Sequence, residues 1–245
     1  MKRILATLFT LLCISFASCS DDDSGTNPDI SEAESFEFPL AVGNEWTYGF
    51  FKLDENHNSS GNPILNSSIK VINELDYRGK PAYEVEDDTR LIYDYYSIAE
   101  DAIYGHADYE NLSSDGKNYY PDAWMKVYDF TQNKWTIYSK ELKVEDGDFK
   151  AEGTIAMYGE KLGKTKTVID GKEVDLYNYL AINTVDVKET YADEVFETKG
   201  SDTTYISFAD GIGFYSIALR TEEDDEGFMF YGTEELLIDN NLDDK

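Results

Sequence analysis

From Phe36 onward, apolar residues recur at every second position, in short runs cut by polar turns. Trp46, Tyr48 and Phe50 alternate with Thr47 and Gly49. That spacing gives one apolar face at period two, the pattern of a half-buried strand. Ser67 to Tyr77 repeats it with Ile69, Val71 and Leu75, and Arg78-Gly79-Lys80 predicts a turn into a partner strand over Ala82 to Glu86. Further runs follow at Leu91 to Ile98, Ile103 to Tyr109, Trp124 to Phe130 and Trp135 to Val144, the last two joined by Thr131-Gln132-Asn133-Lys134. Asp146-Gly147 lies between Val144 and Phe149, and Asp170-Gly171 between Thr165–Ile169 and Glu173–Tyr179. An Asp-Gly pair between β-formers predicts a type I′ hairpin turn, because both central residues take positive φ.

Tyr177, Tyr179, Ala181, Asn183, Val185 and Val187 then alternate over a long strand. Thr203 to Phe208 and Phe214 to Arg220 flank Ala209-Asp210-Gly211-Ile212-Gly213, and Phe228 to Tyr231 and Leu236 to Ile238 close the series. Ten or more strands at short spacing predict an all-β fold: antiparallel strands in one large curved sheet, a half-barrel or a sandwich, with little helix. Thr190 to Glu197 is the one stretch read as a helical turn or two. No repeat of fixed period is present.

The first 35 residues follow a different rule. Lys2 and Arg3 precede an uncharged apolar run from Ile4 to Ala17, shorter than the ~20 residues that span a membrane. A basic start, a short apolar core and small residues at its end read as a secretory signal peptide. The end, Phe16-Ala17-Ser18-Cys19, resembles a bacterial lipobox, with Phe16 where Leu is usual. It predicts cleavage after Ser18 and lipidation of Cys19 with palmitate-type acyl chains. Ser20-Asp21-Asp22-Asp23-Ser24-Gly25 follows, a self-repelling acidic tether that looks like the surface-export signal of Bacteroidetes lipoproteins. The expected organisation is a signal peptide over 1–18, a tether over 19–35 and a single β domain over 36–245. The expected location is the outer membrane, lipid-anchored, at the cell surface or facing the periplasm.

Charge narrows the choice of partners. The net charge is −29, and losing Lys2 and Arg3 with the signal peptide makes it more negative still. So acidic a chain is not expected to bind nucleic acid, which requires Lys and Arg to neutralise phosphates. Anionic head groups repel it as well, so the lipid on Cys19 would have to hold it at the membrane. The only other cysteine, Cys13, leaves with the signal peptide. The folded part therefore has no disulfide, thiolate nucleophile or cysteine metal ligand.

Phe38-Pro39-Leu40 through Gly43 to Trp46 and Tyr48 resembles the FPL-x-x-G-x-x-W-x-Y opening of a broad group of uncharacterised Bacteroidetes-type lipoproteins. Phe208-Ala209-Asp210-Gly211-Ile212-Gly213 is similar to their late glycine-aliphatic-glycine strand entry. The resemblance implies a β-rich domain, with a curved sheet like that of periplasmic lipoprotein carriers, and brings no catalytic residues. Physically, Pro39 stiffens the entry, Gly43 turns the chain, and Trp46 and Tyr48 face the core.

Little chemistry stands out. His57 sits in a polar loop and His106 in a strand-like stretch; two histidines and no free cysteine argue against zinc. No Gly-x-Ser-x-Gly elbow is present. Asp146-Gly147-Asp148 and Thr221 to Glu226 offer hard oxygens but lack EF-hand spacing, and read as a hairpin turn and a solvated loop. Gly211-Ile212-Gly213 lacks the strand and helix of a phosphate cradle and reads as a turn or bulge. No metal, cofactor or catalytic residue is expected.

The most suggestive feature is aromatic: Tyr93, Tyr95, Tyr96, Tyr104, Tyr109, Tyr119, Tyr120 and Trp124. Such rings pack a core or, if exposed, stack on sugars. The leading expectation is a non-enzymatic binding module for a glycan or protein ligand. A lipid or lipoprotein carrier with an apolar cavity is the alternative, and a hydrolase using two carboxylates stands behind both. The anchor is directly testable. Cys19→Ala leaves the precursor uncleaved and without acyl label in cells fed a labelled fatty acid; normal processing and labelling would remove the lipid anchor from the account.

Overall fold

Strands dominate, as the period-two pattern predicts. The computed structural model describes residues 36–89, 93–107, 122–147, 149–191, 194–220 and 231–242. Cys19, the acidic tether, Tyr109, Tyr119, Tyr120, Phe228 and the acidic stretch 221–226 lie outside these residues, as does Asp148. The described strands are β1 (Glu45–Leu53), β2 (Ser59–Tyr77), β3 (Lys80–Asp87), β4 (Tyr95–Ile98), β5 (Ala102–His106), β6 (Met125–Asp129), β7 (Lys134–Asp146), β8 (Phe149–Ile169), β9 (Lys172–Tyr191), β10 (Glu194–Ala209), β11 (Gly213–Arg220) and β12 (Gly232–Asn240). All are antiparallel in one sheet of order β6-β5-β4-β3-β2-β1-β12-β11-β10-β9-β8-β7. The sheet curls into a nearly closed barrel. The helical turn expected over Thr190 to Glu197 is strand instead: Tyr191 pairs with Glu194 across the β9–β10 hairpin, and Phe196 with Glu189. Ladder hydrogen bonds and cross-strand pairing outweigh the weak local preference of a short polar stretch.

Turn chemistry fixes the register at two of the expected turns; at the third, Asp146 is still strand, paired with Phe149, and Gly147 takes φ of 60°. Arg78 and Gly79 take φ of 48° and 77°, and Asp170 and Gly171 take 51° and 76°, the paired positive angles of type I′ turns. The β8–β9 hairpin then stays in register from Ile169↔Lys172 to Phe149↔Tyr191, with one shift at Lys161/Gly163.

Inside the barrel, aromatic rings fill the space. Phe36 lies 4.7 Å from Tyr177, 5.0 Å from Phe208, 5.2 Å from Tyr128 and 5.4 Å from Phe130 between ring centroids. Phe38 packs on Trp46, Tyr96, Phe208 and Phe214. Residues 36–40 therefore plug one end of the barrel from within. Edge-to-face and offset pairs of this kind add about 0.5–1.5 kcal/mol each beyond their buried area.

At the seam, the last strand edges meet through side chains. The Trp135 indole donates to the Lys126 carbonyl at 2.8 Å, and Lys161 Nζ donates to the Phe130 carbonyl at 3.1 Å. Gly159 makes room for Trp135, since a β-carbon there would lie 2.1 Å from the indole.

Away from the plug, β7 to β10 run on past the barrel wall. β10 pairs with β11 only from Thr204 onward, whereas it follows β9 from Glu194. One face of this extension carries a small second core of Leu142, Ala151 and Val187. The other carries cross-strand ion pairs, Lys150–Glu145 at 3.7 Å and Lys199–Asp186 at 2.6 Å. Phe38→Ala is expected to destabilise the protein by about 3–5 kcal/mol, read as a lower urea midpoint at unchanged slope. A loss below 1 kcal/mol would show that the plug does not support the barrel.

Candidate functional site

Neighbouring residues of β4 and β5 point to opposite sides of the sheet, and this sorts the predicted aromatics. Tyr93 and Tyr96 belong to the buried interior. They pack in the core and form no exposed platform. Tyr95 and Tyr104 alternate with the interior residues Tyr96 and Ile103 and so face outward, half-buried. Trp124, just before the interior Met125, joins them.

The outward group has two members that the aromatic count missed, Tyr77 at the end of β2 and His106 at the end of β5. Tyr77 and Tyr95 stack face to face at 3.8 Å with an interplanar angle of 10°. His106 meets Tyr77 edge-on at 5.2 Å and Trp124 at 5.5 Å. The register explains the cluster, because Tyr95 lies opposite His106, and Ser97 opposite Tyr104. His106 is fully buried under these rings.

Charges surround the rings. Arg78 reaches over Tyr77, its Cζ 5.5 Å from the ring centre, and pairs with Asp122 at 2.5 Å. Asp122 also lies 3.4 Å from His106 Nε2. The hydrogen bond from Arg78 holds the Asp122 carboxyl below its ordinary range. Lys80 Nζ sits 3.9 Å from the Tyr104 ring centre, and the Tyr104 hydroxyl donates to Asp101 at 3.1 Å. Lys126 bridges Asp101 at 3.1 Å and Asp129 at 2.8 Å. Trp124 Nε1 is buried and has no hydrogen-bond partner. The patch thus combines apolar ring surface with donors and acceptors in alternation.

A second polar group lies inside the barrel wall. Asp87, the last residue of β3, pairs with Ile69; Ser67 pairs with Tyr48; Glu235 pairs with Phe50 and Ile217. Ile69, Tyr48 and Ile217 are core residues, so their partners face inward too. Asp87 Oδ1 accepts from Thr89 N at 2.7 Å and Thr89 Oγ1 at 2.6 Å, while Oδ2 is buried without a partner. Burial, then the charge of Glu235, push the Asp87 carboxyl up to about 7 against the pull of the Thr89 hydrogen bonds. Composition offered no signal for this pair, since fifty acids hide any two. Their inward register was the missing information. Among the described residues, no three His, Cys, Asp or Glu converge as a metal-binding group.

Neither a protein-family model nor a curated protein sequence matches the chain. Among solved structures, the chain is similar to one described as a lipoprotein of Parabacteroides distasonis, at 12% identity and a TM-score of 0.37, over 84% of this chain and 98% of that one.

A carboxyl whose native pKa is raised binds more protons folded than unfolded between its ordinary value of 3.8 and about 7. Stability then falls as pH rises through that window, by up to about 1.4 kcal/mol per pH unit for a single group, and levels off above it. Urea unfolding from pH 4.5 to 8.5 in EDTA should show this decline in the wild type, and Asp87→Asn should flatten it. Equal slopes in the two proteins would place the Asp87 carboxyl at its ordinary value.

Proposed function

We propose that this protein is a non-enzymatic, lipid-anchored binding module that displays its β-barrel outward from the outer membrane and takes a glycan on the Tyr77–Tyr95–Trp124 patch. The anchor rests on the lipobox at Cys19 and the acidic residues behind it. The observation that carries the ligand class is the outward ring cluster itself. Rings that are only half-buried on a barrel wall expose apolar surface at a cost, while the interior is already supplied with aromatics.

Sugars suit that surface. Their C–H faces pack on rings and edges, and their hydroxyls bond to groups such as Arg78, Asp122 and Asp101 that ring the patch. The carrier reading has less support, because the space an apolar cargo would need is taken by Phe36, Phe38 and their neighbours. The hydrolase reading requires carboxylates that a substrate can reach, and Asp87 Oδ2 is shut off from solvent.

Retention of the mature protein in gels cast with a panel of soluble polysaccharides tests the proposal. One or more polysaccharides should retard the wild type. Tyr77→Ala and Trp124→Ala should each weaken binding about ten-fold or more, the range for a central aromatic contact. Circular dichroism confirms that the variants fold. No retardation by any member of the panel, or retardation unchanged in both folded variants, would overturn the glycan assignment.

A further inference from the structure

The seam between β6 and β7, the two ends of the sheet order, carries a second concave surface. A cleft of about 340 Å³ opens there, lined by residues of the β6–β7 turn, β7, β8 and β9. That volume lies at the lower end of the range of small-molecule sites, roughly 300–1,000 Å³. Register places its side chains on the outer face of the wall. Trp135 pairs with Gly159 and packs in the core, so the flanking pairs Lys134↔Glu160 and Thr136↔Tyr158 point the other way. Ile182 lies opposite Tyr158 and continues the row. Tyr158 is 42% exposed, and Lys134 and Glu160 pair at 2.8 Å in the neighbouring row. An exposed ring beside a paired ammonium and carboxylate repeats the chemistry found around Tyr77 and Trp124.

The two surfaces are joined along β6. Trp124 precedes that strand and Gln132, which lines the cleft, follows it. The eight steps of chain between them reach at most about 29 Å. His106 touches Trp124 at 5.5 Å, and Tyr104 lies on the same face of β5 as His106. Lys126 stands opposite Tyr104, its Nζ 5.9 Å from that ring centre and 2.8 Å from Asp129. Asp129 Oδ1 in turn accepts from Gln132 N at 3.0 Å. Ring patch, bridge and cleft are therefore held in one fixed row by direct contacts.

We propose that the outer wall along β6 is one continuous glycan-binding track, with the Tyr77–Tyr95–Trp124 patch at one end and the Tyr158 cleft as a second subsite, and that its ligand is the interior of a neutral polysaccharide chain. A terminal sugar fills one ring surface; two fixed surfaces on one wall are filled together only by a chain that runs on. Once the patch is occupied, filling the cleft is an intramolecular step, which raises affinity without a new partner. The neutral class follows from the charges. Arg78, Lys126 and Lys134 each sit beside a carboxylate, and the chain as a whole carries −29. A uronate or sulfate would have to displace those carboxylates against that field, whereas hydroxyls can add to the pairs as donors and acceptors.

The inference rests on the glycan reading of the Tyr77 patch, and the experiment separates the two. The full mature protein is titrated with soluble xylan, galactomannan and mixed-linkage β-glucan, and with oligosaccharides of each from disaccharide to decasaccharide. Wild-type affinity should rise about ten-fold or more from the shortest to the longest chain that binds. Tyr158→Ala, at an exposed position, should remove that gain and leave the short chains unchanged. Tyr77→Ala should weaken short and long chains alike, and polygalacturonate should not compete. Affinity independent of length, or long-chain affinity unchanged in Tyr158→Ala, would overturn the track while leaving the patch in place. Competition by polygalacturonate as strong as by the neutral chain would overturn the neutral class. Binding to none of these chains, or binding indifferent to Tyr77→Ala and Trp124→Ala, would overturn the patch itself and the track with it.

Discussion

The barrel depends on a contact between two segments separated by about 170 positions in the chain. Phe38, Trp46 and Tyr48 come from its start, and Phe208 to Phe214 from its end. The Trp46 indole donates to the Ile212 carbonyl and the Tyr48 hydroxyl to the Phe214 carbonyl. Glu37 closes the contact in both directions, its N–H donating to Asp210 and its carbonyl accepting from Gly211. Gly213 lies under Phe38, where a β-carbon would come within 2.8 Å of the ring, and its φ of 108° suits glycine. The side-chain donors of Trp46 and Tyr48 thus each find a carbonyl at or just after the turn, the condition for burying polar groups in an aromatic core.

This contact organises the rest because it sits where β1 and β12 join the two halves of the sheet. β1 pairs with β2 on one side and with β12 on the other. The strands from β2 to β6 and from β12 back to β7 therefore diverge from one central pair and must meet again at the seam. Phe36 spans that gap, touching Tyr128 and Phe130 near one edge and Tyr177 and Phe208 of the other half. The seam itself has the Trp135 indole on the Lys126 carbonyl in place of a ladder. A short N-terminal segment with two phenylalanines therefore substitutes for the backbone pairing that a fully closed barrel would have.

Much of this was legible in the chain. Period-two alternation marked β1 and β9, and the Asp170-Gly171 pair marked its hairpin, because both signals are local. The two motifs that resemble lipoprotein signatures were each read as folding features, but their contact with one another was not readable, since nothing local links Trp46 to Ile212. β8 was the largest omission. Lys150 to Lys164 is rich in glycine and charge, and it becomes strand because β7 and β9 supply partners on both sides. The aromatic list mixed two faces of the sheet. Tyr95 and Tyr96 are adjacent in sequence and lie on opposite sides of the wall, and only the register with β3 and β5 separates them.

That same wall joins the aromatic core to the outer ring cluster. Tyr96 on the inner side of β4 packs on Phe38 and Phe214, while Tyr95 on the outer side stacks on Tyr77. β4 is only four residues long and pairs with β3 at just two positions, Tyr83↔Tyr96 and Glu84↔Tyr95. Its other edge is held by β5 at all four positions, from Tyr95↔His106 to Ile98↔Ile103. The inner phenol and the outer phenol are fixed through one peptide unit, so the ladder that seats Tyr96 in the core also sets the plane that Tyr95 offers to Tyr77. The β5 ladder is what fixes both phenols, because it holds every residue of β4 while β3 holds only two.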